Sequence, residues 1–395
     1  MTDILTATPT AAPAAAAQTL ETLPTPALIL DRDRMDCNIA RLKGLMAAHG
    51  VTFRPHLKTA KSIDAARRIF PDGPGPITVS TLAEAEYFAR DGGFTDITYA
   101  VGLDPNKAVR AAQLCASGVD LKVTLDTPEQ AAALGAAGRE TGHCPAAFIE
   151  VDCDGHRGGI APSDPKLIVV ARAMRDASVP IAGVLTHAGE SYALHDPEAL
   201  AAAAEAERAA AVDAAAALRG AGFDCPIVSV GSTPTAHFAR DLTGVTEVRA
   251  GVFMFFDLVM NGIGVCTIDD LAVSVLATVI GTKPEKGWIL VDSGWMAMSR
   301  DRGTSSQAVD QGYGVVCDLA GKPYTDLIVD QASQEHGILA LRKGSSAALP
   351  DLPIGARVRI LPNHACATGA QHAGYNVVAN GQADIVAYWP RMRGW

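Results

Sequence analysis

The chain has 395 residues, of which 48% are hydrophobic and 19% are charged, as expected for an ordinary globular protein. Its formal net charge of -10 argues against a nucleic-acid partner, and no apolar run reaches the length of a membrane span. The 8 cysteines follow no disulfide spacing, so we expect reduced thiols in a cytoplasmic protein.

Three segments are predicted along the chain. Residues 1–21 are rich in Ala, Thr and Pro and lack the features of a secretory signal, so we expect a disordered tail. Residues 22–262 are predicted to form an α/β domain, and residues 263–395 a mostly β domain. The segment at residues 22–31 either adds a strand to the β domain or leads into the first helix of the α/β domain.

The α/β domain alternates short β-branched runs with longer helical segments rich in Ala and Leu. Eight strands, each followed by a helix or helical turn, are the number that a (βα)8 barrel of the TIM type requires. We therefore predict this barrel, with an open doubly wound sheet as the alternative. Its strands are expected at residues 51–55, 77–80, 96–101, 121–125, 147–152, 181–187, 227–231 and 247–251.

The sequence after residue 262 changes to extended runs with few helices between them. Asn380-Gly381 lies between two apolar runs, which is typical of a β-hairpin turn. An all-β domain is therefore predicted to follow the barrel. Its strands are expected at residues 271–281, 287–292, 313–319, 326–331, 356–361 and 375–388.

Lys58 is placed at the carboxyl end of the first predicted barrel strand, where barrels of this type collect their functional residues. An amine held there beside other cationic groups can have a lowered pKa and act as a Schiff-base nucleophile. The alternative is an exposed surface lysine. Other predicted strand ends carry residues that favour the first interpretation, namely Ser80, Asp126, His156, Arg157, His187 and Arg249.

Two glycine-containing turns follow the seventh and eighth predicted strands, where barrels often bind phosphate. The first turn contains Gly231, Ser232 and Thr233, and the second contains Gly251 and Val252. Either turn alone could be an ordinary loop. A phosphate site together with an amine and an arginine indicates pyridoxal phosphate, whose ring stores electrons once it is bonded to a lysine.

Arg157 and Arg249 are both predicted to face the cofactor ring. An arginine is always charged, so it would keep the pyridine nitrogen unprotonated or stabilise an anionic phenolic oxygen. The alternative for each arginine is a structural ion pair at the end of the barrel, with Asp152 or Glu247 as the partner.

His364 and Cys366 are the predicted metal ligands of the β domain. In an extended segment the two side chains lie on the same face, so both could reach one ion. An imidazole with a thiolate suits zinc, with manganese or magnesium as alternatives. A half-buried histidine beside an inert cysteine would give the same pattern. His336, in another polar loop of this domain, is a candidate for a further ligand or an acid/base group.

Six motifs resemble the fold-type III pyridoxal phosphate enzymes of the D-threonine aldolase/D-serine dehydratase family. The resemblance covers the chain from about residue 22 to the C-terminus, and the motifs occur in the family's order. They lie at residues 54–59, 154–157, 186–189, 231–235, 249–251 and 362–368. The resemblance implies an alanine-racemase-like barrel, a β domain, a divalent metal and a homodimer.

The same resemblance implies roles for individual residues. Lys58 would bond the cofactor, and His364 with Cys366 would bind the metal. The cofactor site would comprise Lys58, Arg157, His187, Tyr192, Gly231, Ser232, Thr233, Arg249, Gly251 and Val252. The aldolases of the family more often have an acid where Cys366 stands, which favours the dehydratase branch.

The activity that the resemblance implies is elimination of water from a small D-3-hydroxy amino acid. D-threo-3-hydroxyaspartate, giving oxaloacetate and ammonia, and D-serine, giving pyruvate, are the expected substrates. Retro-aldol cleavage to glycine and an aldehyde is the alternative, and a non-enzymatic pyridoxal phosphate carrier is a lesser one. A second substrate carboxylate needs a cation, for which Arg300 and Arg302 are candidates, although a solvated charged loop is the alternative reading of both.

Overall fold

The computed structural model describes residues 18–395, so most of the tail predicted at residues 1–21 lies outside the described residues. The end of that tail is packed rather than loose. Thr19 forms a β-bridge to Asp384, and the Leu20 side chain is buried in a small apolar cluster with Leu23 and Ile29. These contacts attach residues 18–20 to the β domain.

The barrel strands confirm the predicted (βα)8 fold. Within residues 18–395, eight parallel strands follow one another in the order β2-β9-β8-β7-β6-β5-β4-β3. The ring closes between β2 and β3, where Leu57 N donates to Thr78 O and Thr78 N donates to Pro55 O. The strands are β2 (Thr52–Phe53), β3 (Ile77–Val79), β4 (Asp96–Gly102), β5 (Asp120–Leu125), β6 (Ala146–Val151), β7 (Ile181–Thr186), β8 (Ile227–Val230) and β9 (Glu247–Val248).

Helices surround the barrel strands and begin at local sequence signals. Thr127 shows this, because its side chain accepts from Gln130 N in a capping box and the helix that follows has Pro128 in its first turn. The helices of this part are α1 (Arg32–His49), α2 (Ile63–Ile69), α3 (Leu82–Gly92), α4 (Ala108–Ala116), α5 (Pro128–Thr141), α6 (Lys166–Asp176), α7 (Pro197–Gly220), α8 (Thr233–Phe238) and α9 (Leu258–Gly262). Within residues 18–395, no helix is long and apolar enough to cross a bilayer.

The second sheet of the described chain has nine strands in the order β11-β14-β13-β12-β15-β10-β1-β16-β17. A further pairing of β10 with β11 closes six of these strands into a ring. The early segment therefore joins this sheet, with β1 between β10 and β16. The strands are β1 (Ala27–Asp31), β10 (Val273–Lys283), β11 (Trp288–Val291), β12 (Val315–Cys317), β13 (Pro323–Ala332), β14 (Gly337–Leu341), β15 (Arg357–Leu361), β16 (Gly374–Val378) and β17 (Ala387–Pro390).

Strand β14 of the second sheet was not predicted. The hairpin predicted at Asn380-Gly381 is confirmed, because β16 and β17 pair antiparallel on either side of it. Two short helices, α10 (Trp295–Met298) and α11 (Ala365–Ala370), lie among these strands. The domain boundary expected after residue 262 stays a prediction.

The loop after β2 is in direct contact with the β domain beside the barrel mouth. The Tyr375 hydroxyl of β16 donates to Ala60 O at 2.8 Å, and Met392 N donates to Lys61 O at 2.7 Å. The Tyr375 ring also packs on Phe255, with ring centroids 5.4 Å apart. The segment that carries Lys58 is thus held from the β domain as well as from its own barrel.

Candidate active site

A cavity of about 530 Å³ opens at the carboxyl ends of the barrel strands. Its wall combines barrel residues with residues of the β domain, so both domains contribute to one site. The structure places here every predicted cofactor and metal residue, namely Lys58, Arg157, His187, Tyr192, Gly231, Ser232, Thr233, Arg249, Gly251, Val252, His364 and Cys366.

Lys58 lies in the loop after β2 and its side chain lines the cavity. Burial lowers the pKa of its amine, and the nearby guanidinium groups of Arg157 and Arg249 lower it further, against an opposing effect of Cys366. A lowered pKa increases the share of the neutral, nucleophilic amine. The alternative of an exposed surface lysine is therefore wrong.

The turn after β8 has the features of an anion site. Gly231 adopts a φ of 140°, and a Cβ there would lie 2.0 Å from Arg249 O, so only glycine fits. Ser232 uses its hydroxyl to accept from Thr235 N as the cap of α8. Thr233 Oγ1, in contrast, is buried in the cavity wall and finds no hydrogen-bond partner within residues 18–395. A phosphate oxygen would satisfy it, so these residues fit the cofactor.

The two arginines occupy different positions in the cavity. Arg249 is buried and donates to Ser229 Oγ and Thr186 O, both at 2.5 Å. Arg157 is exposed at the rim. Neither arginine makes an ion pair within 4.0 Å in the described part of the chain, so the alternative of a structural ion pair is not supported.

His187 presents a neutral ring to the cavity. Its Nδ1 donates to Gly231 O at 2.8 Å, which leaves Nε2 as an acceptor. Burial lowers the pKa of His187 to about 3, and the neighbouring Arg157 and Lys58 act in the same direction against the bond to Gly231. Tyr192 lies beside it, with ring centroids 6.1 Å apart.

His364 and Cys366 both reach the cavity, but not from an extended segment as predicted. His364 is the residue before α11, with φ -138° and ψ 108°, and Cys366 lies in the first turn of that helix. Burial opposes ionisation of both groups. The pair nevertheless stabilise each other's charges, so that the pKa of His364 rises to about 11 and the pKa of Cys366 falls. The thiolate is the form of cysteine that binds metals.

The surroundings of this pair fit a metal site with two protein ligands. His364 Nδ1 donates to Asp301 Oδ2 at 2.7 Å, which is the carboxylate–histidine arrangement that orients metal-binding imidazoles. Cys366 Sγ lies 3.1 Å from Thr59 Oγ1. Across residues 18–395 there is no cluster of three His, Cys, Asp or Glu side chains that could hold an ion.

The predicted substrate residues lie outside the cavity of this chain. Arg300 is exposed and its guanidinium lies 4.9 Å from the Trp295 ring centre, while Arg302 pairs with Asp310 at 2.8 Å. His336 is exposed in the turn before β14. These three side chains do not line the cavity of this chain, and their role toward the substrate stays a prediction.

The cavity is also lined by side chains that were not predicted as site residues from the motifs. They are His56, Thr59, Glu150, Asp257 and Asp301. The first two stand inside the 54–59 motif and could have been found there. Asp257 accepts from Ala365 N at 3.0 Å, more than a hundred residues away, a contact that no local pattern indicates.

Comparison with known proteins agrees with this architecture. Residues 30–259 match the family described as "Alanine racemase, N-terminal domain", and residues 272–378 match the "Putative serine dehydratase domain". The D-threo-3-hydroxyaspartate dehydratase of Delftia sp. strain HT23 is 54% identical over 381 residues, covering 95% of this chain and 99% of that protein. The D-serine dehydratase of Dictyostelium discoideum is 29% identical, covering 94% and 97%.

Solved structures show the same relationship. The Delftia dehydratase superposes with a TM-score of 0.92 at 53% identity, covering 95% of this chain and 100% of that one. A cysteine-to-alanine mutant of that enzyme is described as being in a metal-free form. The D-threonine aldolase of Filomicrobium marinum superposes with a TM-score of 0.80 at 26% identity, covering 96% and 98%.

Proposed function

Because the chain belongs to the family of alanine-racemase-like enzymes that carry a serine dehydratase domain, we propose that it eliminates water from a D-3-hydroxy amino acid. The expected substrate is D-threo-3-hydroxyaspartate, with D-serine as a second possibility. One observation carries this proposal: Lys58 shares a single cavity with the His364–Cys366 pair.

Pyridoxal phosphate is the cofactor that the family uses, and we propose where this chain holds it. Lys58 bonds the aldehyde carbon, while Thr233 Oγ1 and the turns at residues 231–233 and 251–252 surround the phosphate. When bound, the cofactor draws electrons from the Cα of an attached amino acid and so makes the Cα proton acidic. Arg249 and Arg157 keep the charge around the ring positive.

The amine of Lys58 is the group that moves the Cα proton in this proposal. Its lowered pKa increases the share of neutral Nζ, and a neutral amine can accept a proton. The buried wall formed by Leu185, Ala250 and Met260 limits the water around it, which strengthens the electrostatic interactions inside the cavity.

We further propose that His364 and Cys366 hold a divalent ion, zinc by preference, with manganese or magnesium as alternatives. Such an ion is a Lewis acid that makes the substrate β-hydroxyl a better leaving group. Asp301 fixes the His364 ring through its 2.7 Å hydrogen bond. Loss of water from hydroxyaspartate and hydrolysis of the released enamine give oxaloacetate and ammonia. D-serine would give pyruvate in the same way.

The test is product analysis with the purified protein and three substrates. D-threo-3-hydroxyaspartate and D-serine should give ammonia and a 2-oxo acid, and D-threonine should give little glycine. The Lys58→Ala variant serves as the control and should give neither product. Glycine plus an aldehyde as the main products would instead indicate the retro-aldol reaction of the aldolase relatives, and turnover by Lys58→Ala would reject the mechanism.

The location and the assembly are also proposals. We expect a cytoplasmic homodimer, an expectation supported by the reduced cysteines and by the resemblance described above. One chain has a mass of 41.0 kDa, so a dimer has twice that mass, about 82 kDa. Sedimentation at micromolar concentration distinguishes the two.

A further inference from the structure

Glu207 is a buried carboxylate on the helix that packs outside β7 and β8. It lies in the middle of α7 and is 2% exposed. Its Oε1 accepts from Ala188 N at 2.9 Å and from Gly231 N at 3.0 Å. Its Oε2 accepts from the Thr235 hydroxyl at 2.7 Å.

Burial of a carboxylate at this position is energetically unfavourable. Helix α7 is otherwise rich in alanine, and its buried neighbours include Ala204, Ala211 and Ala214. Removing a carboxylate from water costs several kcal/mol, and no cation pairs with Glu207 within 4.0 Å among residues 18–395. An apolar side chain would pack between helix and barrel without that cost. What this carboxylate adds, and an apolar side chain would not, is an acceptor for the three donors.

The three donors belong to two turns that form the cavity wall. Ala188 follows His187 after β7, while Gly231 follows β8 and leads into α8, in which Thr235 lies. The carbonyl oxygen of the same Gly231 accepts a hydrogen bond from Nδ1 of His187. Glu207 thus fixes both turns from behind, on the side away from the cavity.

Thr235 links Glu207 by hydrogen bonds to the start of α8. Its hydroxyl donates to Glu207 and accepts from Ser232 N at 3.1 Å, and Ser232 Oγ in turn lies 3.0 Å from Ser191 Oγ. Between these fixed residues stands Thr233, whose hydroxyl is the buried one without a partner in the described chain. Its position at the cavity wall depends on the residues that Glu207 holds.

We propose that Glu207 is a positioning residue for the cofactor phosphate, because it fixes the turns after β7 and β8 in the arrangement that presents Thr233 to the phosphate. This inference rests on the proposed function, since the phosphate is that of the bound cofactor. Glu207 does not touch the cavity itself, so its effect is on cofactor affinity and not on chemistry.

Two substitutions of Glu207 differ in the acceptors that they leave for the three donors. Glu207→Leu leaves two backbone N–H groups without a partner and removes the carboxylate to which the Thr235 hydroxyl donates. Glu207→Gln keeps an oxygen for the two N–H groups, and its amide can donate to Thr235, because a hydroxyl accepts as well as donates. Glu207→Gln is therefore the conservative variant. Leu218→Ala removes a fully buried side chain from the same helix and is the control for a loss of stability alone.

The experiment compares binding of pyridoxal phosphate and of pyridoxal, which lacks the phosphate, to the full-length protein freed of cofactor. Glu207→Leu should weaken pyridoxal phosphate binding about tenfold or more, the effect of roughly 1.4 kcal/mol, and leave pyridoxal binding nearly unchanged. Glu207→Gln should stay close to wild type. Leu218→Ala should lower the melting temperature without changing either dissociation constant.

Each result decides the question. Equal loss of affinity for both ligands, or unchanged affinity with a lower melting temperature, would assign Glu207 a purely structural role. Should Glu207→Leu fail to fold, Thr235→Val removes the hydroxyl that links Glu207 to Ser232 and must still weaken pyridoxal phosphate binding selectively. If wild-type protein does not bind pyridoxal phosphate, the proposed function fails instead of this inference.

Discussion

The burial of His187 can be tested through the pH dependence of stability. Desolvation lowers the pKa of this imidazole to about 3 in the folded protein, whereas a histidine in an unfolded chain has a pKa of about 6.5. Between these values the unfolded chain binds a proton that the folded protein does not. Stability is therefore lost as the pH falls through this window, and the loss from this residue ends near pH 3.

The magnitude follows from the two pKa values. From pH 7 to pH 5, protonation of one histidine with a pKa of about 6.5 stabilises the unfolded state by about 1.9 kcal/mol. The folded protein gains almost nothing over the same range, because its His187 stays neutral. His187 alone should thus reduce the free energy of unfolding by about 1.9 kcal/mol on this change of pH.

The assay is urea unfolding of cofactor-free protein at pH 7 and pH 5. His187→Gln keeps an N–H donor for Gly231 O but cannot titrate, so its loss of stability should be about 1.9 kcal/mol smaller than that of the wild type. The comparison of two proteins cancels the contribution of the carboxylates. His143→Gln, which removes an exposed imidazole, should keep the wild-type loss. Equal losses in His187→Gln and wild type would show that burial does not keep this ring neutral.

Three further substitutions test other parts of the structure. Gly231→Ala places a Cβ 2.0 Å from Arg249 O and should lower both the melting temperature and the affinity for pyridoxal phosphate, and unchanged values would refute the close contact. Asp301→Asn removes the charge that orients His364 and should weaken metal binding about 10- to 100-fold in a chelator titration, whereas equal affinity would remove its proposed role. Leu20→Ala should cost about 2–5 kcal/mol in urea unfolding, because this side chain is buried, and no loss would mean that the segment is loose.

The barrel could be predicted because its signals are local. Each strand is a short β-branched run, and the observed bounds differ from the predicted ones by at most three residues. Lys58 was identifiable for the same reason, since the position after a strand defines which end of the barrel a side chain occupies. Strand β14 was missed because Gly337–Leu341 has no clear alternation of apolar and polar residues.

The errors in the β domain have identifiable causes. The segment after His364 is rich in alanine, the best helix former, so α11 was indicated by propensity although the pattern was interpreted as extended. The roles of Arg300 and Arg302 stay predictions, because the directions of their side chains depend on tertiary contacts of the loop before β12 and not on a local pattern. Glu207 illustrates the same difficulty, because its three partners lie 19 to 28 residues away and leave no periodic pattern.

The contacts between the Lys58 segment and the β domain explain why both halves of the chain are needed for the proposed chemistry. The Lys58 segment contacts the β domain through the Tyr375 hydroxyl at Ala60 O, through Met392 N at Lys61 O and through the approach of Cys366 to Thr59. The distance between the amine and the proposed metal ligands is therefore set by these contacts and not by the barrel alone. A barrel without the β domain would keep the residues proposed to hold pyridoxal phosphate but lose the pair proposed to act on the β-hydroxyl, together with the contacts that hold the Lys58 segment.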